Sequence, residues 1–267
     1  MIIIKIGGGG KINIEGICED IKNLEEKIII VHGANHSRDE LGKKLGKERK
    51  ILTSVSGYDS VFSDEEAIDT IMMSYSGIVN KKIVECLQKK GVNAIGLSGI
   101  DGRVIQGERN KGIRVKERDK VKIVRDFSGK PKKVNKNLLS FLLEQNYVPV
   151  LTIPIIDEEG FAINSENDDI VSLLQETFQA DKIIQLIEAP GLLQDSGNEG
   201  SLIKEIKKET LEELEQKVQG RMKRKILALK KLFQNSHQEK KVQVIVSDGR
   251  IENPVKDALN GGGTIIK

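Results

Sequence analysis

Short runs of aliphatic residues recur along the chain, and each ends close to glycine, proline or a small polar residue. Continuous apolar runs of this kind are typical of β-strands that are covered on both faces. They therefore predict the strands of a buried parallel sheet. The runs read MIIIKI, KIIIVHG, VNAIGLSG, YVPVLTIPII, KIIQLIEAPG and VQVIVSDG.

Longer segments with the periodicity of amphipathic helices lie between these runs. One begins at Ser63, has Glu66 at the spacing of a capping box, and closes at Gly91 after two lysines. Three more segments have the same character: NKNLLSFLLEQN, DDIVSLLQETFQ and ETLEELEQKVQGRMKRKILALKKLFQ. The alternation of strands and helices predicts an α/β fold, a mostly parallel sheet with helices on both faces.

Composition narrows the class of protein. The 267 residues are 38% hydrophobic and contain no low-complexity linker, which suits one domain over residues 1–267. The 43 basic and 40 acidic residues leave a net charge of only +3, so no nucleic-acid partner is expected. No apolar run has the length of a membrane span, and the two cysteines lack CxxC spacing. A cytoplasmic protein without a membrane partner is expected.

Positive charge is concentrated in one segment, residues 103–136. This segment holds 13 lysines and arginines against four acidic residues, a net charge of +9. The alternation in GIRVKERDKVKIVRDF predicts an exposed β-hairpin within it. Two interpretations remain open: lysines that protect an edge hairpin from aggregation, or a basic docking surface for an acidic partner.

Candidate chemistry begins in the first strand. Lys5 is the only charged residue of MIIIKI, and a buried lysine is costly unless it meets a negative charge. Gly7 to Gly10 follow at once, and backbone without side chains lets an anion approach its amides. The pattern predicts that Lys5 faces a phosphate group.

Two familiar phosphate-binding patterns fit poorly. The segment IGGGGKIN lacks the spacing and the Ser or Thr of a P-loop. The second strand lacks the terminal acidic residue of a dinucleotide site and ends instead in another turn of small residues, VHGAN. Two such turns at adjacent strand ends, together with Lys5, favour phosphoryl transfer, which needs charge placement more than covalent chemistry.

Two later segments add charges to this picture. GFAINSENDDIVSLL places Asn164, Asp168 and Asp169 in a turn that opens a helix, where carboxylates also have a purely structural use as helix caps. GRMKRKILALKKLF begins a helix with four cations, which form either a solvated basic face or an anion site. His32 and His36 have no evident third ligand, so no metal site is expected.

Together these motifs resemble the amino-acid kinase family. Each motif alone is weak, whereas seven in order over nearly the whole chain are specific. Within the family, the chain is most similar to the acetylglutamate kinases and to the kinases whose aminoadipate or glutamate acceptor is bound to a LysW carrier. The motifs are K-x-G-G at Lys5–Gly8, V-H-G at Val31–Gly33, V-N-K at Val79–Lys81, A-x-G-L-S-G-x-D-G at Ala94–Gly102, N-x-x-x-D at Asn164–Asp168, A-P-G-L-L at Ala189–Leu193 and M-x-x-K at Met222–Lys225.

The resemblance implies a three-layer sandwich around an open, mostly parallel sheet of about eight strands. Residues 1–156, with the basic hairpin of residues 103–136, would form the acceptor-binding half. Residues 157–267 would form the half that binds ATP, with Mg²⁺ brought by the nucleotide and no dedicated metal site in the protein. A side-chain carboxylate of the acceptor would attack the γ-phosphate and become an acyl phosphate.

The same resemblance implies roles for individual residues. Lys5 and Lys225 match the two lysines that stabilise the transferring phosphoryl group, and Asp168 matches the aspartate that orients them. Asn164 matches the asparagine that binds the acceptor. The turn amides that face the phosphoryl group would be those of Gly7, Gly8 and Gly33. The nucleotide pocket would involve Ile187, Glu188, Gly191, Leu192 and Lys225.

The chain departs from the family pattern at several positions. Ala34 and Asn35 replace the last two glycines of the second turn, where their side chains would narrow the space over the phosphoryl group or add an amide. Val61 stands where the family has an arginine that binds the acceptor, and valine cannot replace that contact. Arg38 could supply the missing cation, or it is a surface helix residue. Ile187–Glu188 replace a Thr–Asp pair, which leaves the nucleotide contacts open.

Three functional hypotheses follow. The first is a kinase whose glutamate or aminoadipate acceptor is held by an acidic LysW-type carrier protein docked on the basic hairpin. The second is a kinase of the same fold whose acceptor is a free acylated amino acid or a phosphate monoester. The third is a catalytically silent sensor or binding protein. For the kinases, the resemblance implies a homodimer and a place in lysine or arginine biosynthesis.

Overall fold

All six apolar runs form β-strands in the computed structural model, which describes residues 1–53, 55, 59–117, 120–195, 197–217, 220–234 and 242–267. The strands among these residues, numbered in chain order, are Ile2–Ile6 (β1), Ile28–His32 (β2), Ile51–Thr53 (β3), Asp59–Val61 (β4), Ala94–Ser98 (β5), Ile105–Arg109 (β6), Ile113–Glu117 (β7), Lys120–Val124 (β8), Gly129–Val134 (β9), Val148–Thr152 (β10), Ile155–Ile156 (β11), Ala162–Ile163 (β12), Lys182–Ile187 (β13), Glu205–Ile206 (β14), Gln243–Asp248 (β15) and Thr264–Ile266 (β16).

The predicted helical segments also form helices. A π-helical segment, Met72–Val79, joins the third helix to the fourth without a break. The α-helices of the described residues are Ile14–Lys22 (α1), Asn35–Lys44 (α2), Glu65–Ile71 (α3), Asn80–Lys89 (α4), Lys136–Glu144 (α5), Asn167–Phe178 (α6), Leu211–Lys217 (α7), Gly220–Gln234 (α8) and Pro254–Leu259 (α9).

Eight of the described strands form the main sheet, in the order β14-β16-β15-β13-β1-β2-β10-β5. Every neighbouring pair is parallel except β15 and β16. The predicted open, mostly parallel sheet is therefore confirmed. Because β1 pairs with β2 on one side and β13 on the other, the carboxyl ends of these three strands lie side by side.

Helices cover both faces of this sheet. Side chains alternate along a strand, so Ile2, Ile4 and Ile6 pack on one face with residues of α1, α4 and α9. Ile3 packs on the other face with residues of α5, α6 and α8. The result is the predicted three-layer sandwich with an aliphatic core. No helix in the described ranges is long and apolar enough to cross a membrane.

Three smaller sheets lie beside the main one. Strands β12-β11-β6-β9 form a four-stranded sheet, and β3 pairs with β4 as an antiparallel hairpin. Strands β7 and β8 form the hairpin that was predicted within residues 103–136. Residues 118–119 of that hairpin lie outside the described residues.

One helix prediction needs correction. Ser63 is not the N-cap of α3, because the side chain of Asp64 accepts the cap hydrogen bond from Ala67 N–H. Both residue types are good N-caps, and Ser63 is instead buried, with its N–H bonded to Asp126. The described parts of the last predicted helix are α7 and α8, and residues 218–219 between them lie outside the described residues.

Candidate active site

Lys5 lies near the carboxyl end of β1, on the face of the sheet that α6 covers. Its Nζ atom forms an ion pair with Oδ1 of Asp168. The two side chains are 17% and 30% exposed, so the pair is partly shielded from water and still accessible. The single charge in an apolar strand thus has its counter-charge, and both groups can meet a ligand.

Asp168 and Asp169 lie in the first turn of α6, and both make tertiary ion pairs there. Asp168 pairs with the lysine of β1, and Asp169 pairs with Lys231 of α8 at 2.6 Å. Asn167 in this turn and Ser165 just before the helix each have a buried oxygen, Oδ1 and Oγ, without a hydrogen-bond partner among the described residues. Helix capping alone therefore does not explain why so many polar residues lie at the start of α6.

The two glycine turns pack directly against each other at the carboxyl ends of β1 and β2. A Cβ atom on Gly8 would lie 2.7 Å from the amide nitrogen of Asn35 and 2.8 Å from that of Ala34. A Cβ atom on Gly33 would lie 2.9 Å from the amide nitrogen of Gly8. Contacts this short with backbone require glycine at both positions, and they bring the amides of both turns together.

Hydrogen bonds within the chain occupy some of these turn amides. Gly7 N–H donates to the backbone of β13, and Gly33 N–H donates to the backbone of β1, both at 2.9 Å. These two amides therefore fix the turns. Within the described ranges, the amides of Gly8 and Asn35 have no such bond to the backbone, and neither have those of Gly9, Gly10 and Ala34. Gly8 and Asn35 are thus among the amides that could bind an anion at this edge.

A buried network holds the second turn in place. The side-chain amide of Asn80 lies 3.1 Å from His32 Nε2 and donates to Val150 O at 2.9 Å. On the other side of the ring, His32 Nδ1 lies 3.2 Å from Gly33 O. Burial lowers the pKa of His32 to about 4, so the imidazole is neutral near pH 7 and positions the turn.

Asn164 is connected to the loop before α3. Its Nδ2 atom donates to Ser63 Oγ at 3.0 Å, and Ser63 N–H donates to Asp126 Oδ2 at 3.0 Å. Asp126 is 2% exposed and also accepts two hydrogen bonds from Ser128. Sequence reasoning did not place Ser63 and Asp126 at the site. Ser63 was predicted only as the start of a helix, and the only signal for Asp126 was an acidic residue within a basic segment.

Glu188, at the carboxyl end of β13, reaches across to the first glycine turn. Its Oε1 atom accepts a hydrogen bond from Lys11 N–H at 2.5 Å. The carboxylate also lies over Gly9, where a Cβ atom would come within 2.1 Å of the carboxyl carbon. The structure thus brings this predicted nucleotide residue to the same edge as Lys5.

Three further residues predicted for the nucleotide pocket make contacts within the chain. Ile187 O accepts from Gly249 N–H at 2.7 Å, and Leu192 N–H donates to Thr264 Oγ1 at 2.8 Å. A Cβ atom on Gly191 would lie 2.7 Å from Thr264 Oγ1. These residues shape the segment that leaves β13, beside the first glycine turn.

Val61 and Arg38 line one cavity of about 430 Å³ between α2, α3 and β4. Arg38 is only 8% exposed, so its interpretation as a surface helix residue is wrong. At the start of α2, Asn35 Oδ1 accepts a hydrogen bond of 2.6 Å from Tyr75 OH. Burial raises the pKa of Tyr75 to about 12, which keeps the phenol a donor near pH 7.

The side chain of Lys225 lies outside the part of the structure that is described, although its backbone belongs to α8. Helix α8 packs against α6, and its Lys231 pairs with Asp169. The C-terminal half of α8 therefore adjoins the first turn of α6, in which Asp168 also lies.

The sequence pattern of the amino acid kinase family matches residues 1–246. The chain belongs to the amino acid kinase family. The resemblance inferred from seven short motifs is thereby confirmed, and the family accounts for nearly the whole length of the chain.

Several relatives of this family member are kinases by name. The chain is 38% identical to a LysW-aminoadipate kinase of Thermus thermophilus, over 100% of both chains. It is also 38% identical to a LysW-aminoadipate kinase of Deinococcus radiodurans, with 100% of this chain and 91% of the relative covered. A LysW-aminoadipate/LysW-glutamate kinase of Sulfolobus acidocaldarius is 31% identical over 100% of both. The chain is therefore a kinase, and ATP is its phosphoryl donor.

Two solved structures share the fold of this chain. N-acetylglutamate synthase of Neisseria gonorrhoeae, complexed with coenzyme A and N-acetylglutamate, superposes with a TM-score of 0.77 at 18% identity, over 99% of this chain and 58% of that one. Giardia carbamate kinase gives 0.67 at 17% identity, over 99% and 97% of the two chains. At these identities the likeness concerns the fold alone.

The kinase thus gathers its candidate site at one edge of the main sheet. The Lys5–Asp168 pair, the two glycine turns and Asn164 come from elements that end or begin at this edge. Among the residues that the structure describes, no group of three or more His, Cys, Asp or Glu side chains could hold a metal ion. The arrangement is suited to binding an anion, and phosphoryl transfer requires that above all.

Proposed function

We propose that this kinase phosphorylates the side-chain carboxylate of a glutamate or aminoadipate whose amino group is held by a LysW-type carrier protein. The observation that carries the proposal is the Lys5–Asp168 pair beside the two packed glycine turns. A cation fixed by a carboxylate, next to backbone amides, suits a phosphoryl group in transfer. The acceptor class comes from the names of the relatives in Thermus thermophilus and Deinococcus radiodurans.

The chemical step needs little beyond charge placement. An oxygen of the acceptor carboxylate attacks the γ-phosphorus, and the bond from that phosphorus to the β,γ-bridging oxygen breaks. ADP leaves with the electron pair, and no proton has to move. Lys5 and Lys225 neutralise the charge on the transferring group, and Asp168 orients Lys5 by the ion pair. This scheme also agrees with a buried, neutral His32 that takes no part in acid–base chemistry.

The acceptor and the phosphoryl group would meet between the two turns. We assign the phosphoryl oxygens to the amides of Gly8 and Asn35, since Gly7 and Gly33 use theirs within the chain. Asn164 would bind the acceptor, held in place through Ser63. Ala34 is 2% exposed, so it narrows the second turn without adding a polar group.

ATP would lie on residues 157–267, and the acceptor on residues 1–156. Ile187, Glu188, Gly191 and Leu192 would form the nucleotide side, because they follow β13 at the same edge of the sheet. Mg²⁺ would come bound to the phosphates and neutralise their charge. The described carboxylates nearest the site, Asp168 and Glu188, are bonded to Lys5 and to the Lys11 amide, which fits a metal held mainly by ATP.

We assign the carrier to the basic segment of residues 103–136. Lys132 and Lys133 are exposed there, and Val121 and Ile123 of the β7–β8 hairpin are 59% and 64% exposed. Exposed apolar residues would promote edge aggregation, so they favour docking over protection. Strand β7 lies beside β3, whose partner β4 ends at Val61 in the cavity wall. A carrier docked here could place its acceptor in that cavity.

We further propose a cytoplasmic homodimer that serves lysine biosynthesis, or arginine biosynthesis where glutamate is the acceptor. Strand β5 is an edge of the main sheet, and the π-helical segment beside it carries Met73 and Ile78, which are 42% and 38% exposed. An apolar surface at a sheet edge is well suited to a two-fold contact between identical chains.

The proposal is tested by trapping the acyl phosphate with hydroxylamine, which converts it to a stable hydroxamate. Acceptors would be N-acetylglutamate, N-acetylaminoadipate and both amino acids attached to a LysW-type carrier, with the bare carrier as control. We expect hydroxamate with carrier-bound acceptors only, and a kcat/KM that falls as salt screens the basic segment.

Other outcomes would contradict parts of the proposal. Equal hydroxamate from the N-acetyl compounds would remove the need for a carrier. A kcat/KM that does not respond to salt would exclude electrostatic docking. ATP binding without hydroxamate from any acceptor would identify a catalytically silent protein or an acceptor of a different class.

A further inference from the structure

A buried arginine lies in the wall of the 430 Å³ cavity beside the candidate site. Arg38, on α2, is 8% exposed, whereas most arginines in proteins keep their charged groups in water. Burying a guanidinium is costly unless its donors and its charge are compensated. The cavity therefore contains a charge whose placement needs an explanation.

The protein itself compensates Arg38 only in part. Its Nε and Nη2 atoms both donate to the same oxygen, Oδ1 of Asp39, at 3.2 and 3.0 Å. No hydrogen bond is made by Nη1 in the described part of the chain. Asp39 is also shared with Arg49, at 3.5 Å from its second oxygen. One carboxylate thus serves two arginines, and part of the Arg38 fork remains open to a ligand.

The other charges of the cavity are paired or balanced. Three lysines of its wall form ion pairs: Lys43 with Glu40 at 3.2 Å, Lys47 with Glu66 at 3.3 Å and Lys50 with Asp64 at 3.0 Å. The cations of the wall are Arg38, Lys43, Lys47, Arg49 and Lys50, and its acids are Asp39, Glu48, Asp64 and Glu66. A ligand carboxylate would therefore be bound by the open donors of Arg38 and not by a net charge of the wall.

The cavity is connected to the site of phosphoryl transfer from two sides. Helix α2 begins at Asn35, in the second glycine turn, and Arg38 follows one turn later. From β4, Ser63 Oγ donates to Val61 O at 3.3 Å and accepts a hydrogen bond from Asn164. The wall of the cavity is therefore linked to the second glycine turn through α2, and to Asn164 through Ser63.

We propose that Arg38 binds the non-reacting carboxylate of the acceptor, with Val61 as an apolar wall along its methylene chain. This inference rests on the proposed function, because an acceptor with a blocked amino group still carries one α-carboxylate besides the carboxylate that reacts. Asp39 orients the guanidinium, and the unused donors of the fork meet the ligand. Arg38 is then a specificity-determining residue: it selects acceptors with a second carboxylate at this distance.

The test compares Arg38→Ala, Arg38→Lys and Arg49→Ala with the wild-type protein. Acceptor Kd is measured by calorimetry with carrier-bound aminoadipate, and KM and kcat are measured by hydroxamate formation. We expect Arg38→Ala to raise the Kd and KM for the acceptor ~10- to 100-fold, the range of a charged hydrogen bond. The KM for ATP should not change. The Kd and KM of Arg38→Lys for the acceptor should lie between those of the wild-type protein and Arg38→Ala, because lysine keeps the positive charge and lacks the paired donors of the guanidinium.

Arg49→Ala is the matched control, since Arg49 shares Asp39 and lines the same cavity but is 46% exposed. If Arg49→Ala raises the acceptor Kd less than Arg38→Ala does, Arg38 binds the acceptor specifically. If both variants raise the Kd equally, the effect of Arg38 is only that of positive charge near the cavity, and the inference is wrong. The double variant Arg38→Val with Val61→Arg moves the guanidinium to another wall of the cavity. The single variant Val61→Arg, with Arg38 in place, completes the set. A gain in acceptor affinity that is larger in the Arg38→Val background than in the wild-type background supports the assignment, because the two guanidinium groups would then serve the same carboxylate; equal gains would contradict it.

Failure of this inference is distinguishable from failure of the proposed function. If wild-type protein forms hydroxamate and Arg38→Ala keeps its acceptor Kd, the inference is wrong and the function stands. If wild-type protein binds the acceptor without forming hydroxamate, the function fails, and the Kd values still decide the role of Arg38. Absence of acceptor binding by the wild-type protein would overturn both.

Discussion

Lys5 is the residue on which the proposed phosphoryl transfer most depends. Its neighbours in β1 are fully apolar, and strand alternation directs its side chain to the face where α6 begins. There it meets Asp168, and partial burial of the pair weakens the screening by water. A charge fixed before the reaction does not need to reorganise when the phosphoryl group moves. Its removal should therefore affect rate more than folding.

Lys5→Met tests this directly, because methionine keeps the unbranched chain and removes the charge. We expect kcat for acyl-phosphate formation to fall by roughly 100- to 1,000-fold, the cost of losing one preorganised group at the transition state. Lys22→Met is the matched control, since Lys22 is exposed on α1 and pairs with the likewise exposed Glu19. A Lys5→Met enzyme with the kcat of the control would rule out the assigned role.

His32 predicts a dependence of stability on pH. Burial lowers its pKa to about 4 in the folded state, whereas the unfolded chain has a pKa of about 6.5. Between these values the unfolded state binds more protons, so the free energy of unfolding decreases as pH falls from 6.5 towards 4. The contribution to the slope approaches about 1.4 kcal/mol per pH unit in this window.

The measurement is the free energy of unfolding by urea between pH 7 and pH 4, for wild-type protein, His32→Asn and His36→Gln. Loss of this part of the slope in His32→Asn, but not in His36→Gln, is the expected result; His36 is the exposed control. Parallel curves for wild-type protein and His32→Asn would contradict the neutral, buried imidazole.

Single residues could be recognised from the sequence where the signal is local. Lys5 was conspicuous as a lone charge in an apolar strand, and Asp168 as an acid in a helix-opening turn. Their mutual contact joins positions that are 163 residues apart. It could be anticipated only from the resemblance to the family, because local sequence does not show which distant residues meet. Arg38 and Asp126 have no local signal of burial, because their environment is created by distant elements.

At the level of elements, the site depends on how closely two turns approach. Both follow adjacent parallel strands, and the absence of side chains on Gly8 and Gly33 lets backbone meet backbone. The approach could be anticipated from the two glycine turns and the strand prediction. The N-cap residue of α3 could not be predicted, because Ser63 and Asp64 are adjacent and both residue types are good N-caps.

Gly8→Ala tests the approach of the turns. The added Cβ would lie 2.7 to 3.0 Å from backbone atoms of Gly33, Ala34 and Asn35, so one turn must move away. We expect kcat to fall by at least about tenfold, since a displacement of about 1 Å at a reacting group is costly. Gly77→Ala is the control, because its Cβ would have its nearest contact at 3.5 Å. Equal kcat for the two variants would show that the close approach is not needed.

At the scale of the molecule, charge is distributed very unevenly. Residues 103–136 carry +9, and the whole chain carries +3, so the remaining residues carry the difference, −6. An acidic partner is therefore attracted to one region and repelled by the rest, which favours a single docking orientation. The proposed carrier site is consistent with this asymmetry.

The architecture as a whole could largely be read from the sequence. Alternating apolar runs and helical segments dictate a covered parallel sheet, because each strand must be buried on both faces. The order of strands could not be deduced in this way, since it depends on which long-range pairs form. Strands β14 and β16, two and three residues long, were also missed, because such short elements leave no clear pattern.

The central claim is that an acceptor carboxylate attacks the γ-phosphate at the edge of the sheet marked by Lys5. It can be examined with a carrier-bound acceptor whose side-chain carboxylate is labelled with ¹⁸O. Hydroxylamine attacks the carbonyl carbon of an acyl phosphate, so the released phosphate keeps the bridging oxygen. Mass spectrometry should then find ¹⁸O in the phosphate with the wild-type enzyme and almost none with Lys5→Met. Phosphate without ¹⁸O from an enzyme that turns over ATP would mean that water, and not the carboxylate, is the nucleophile.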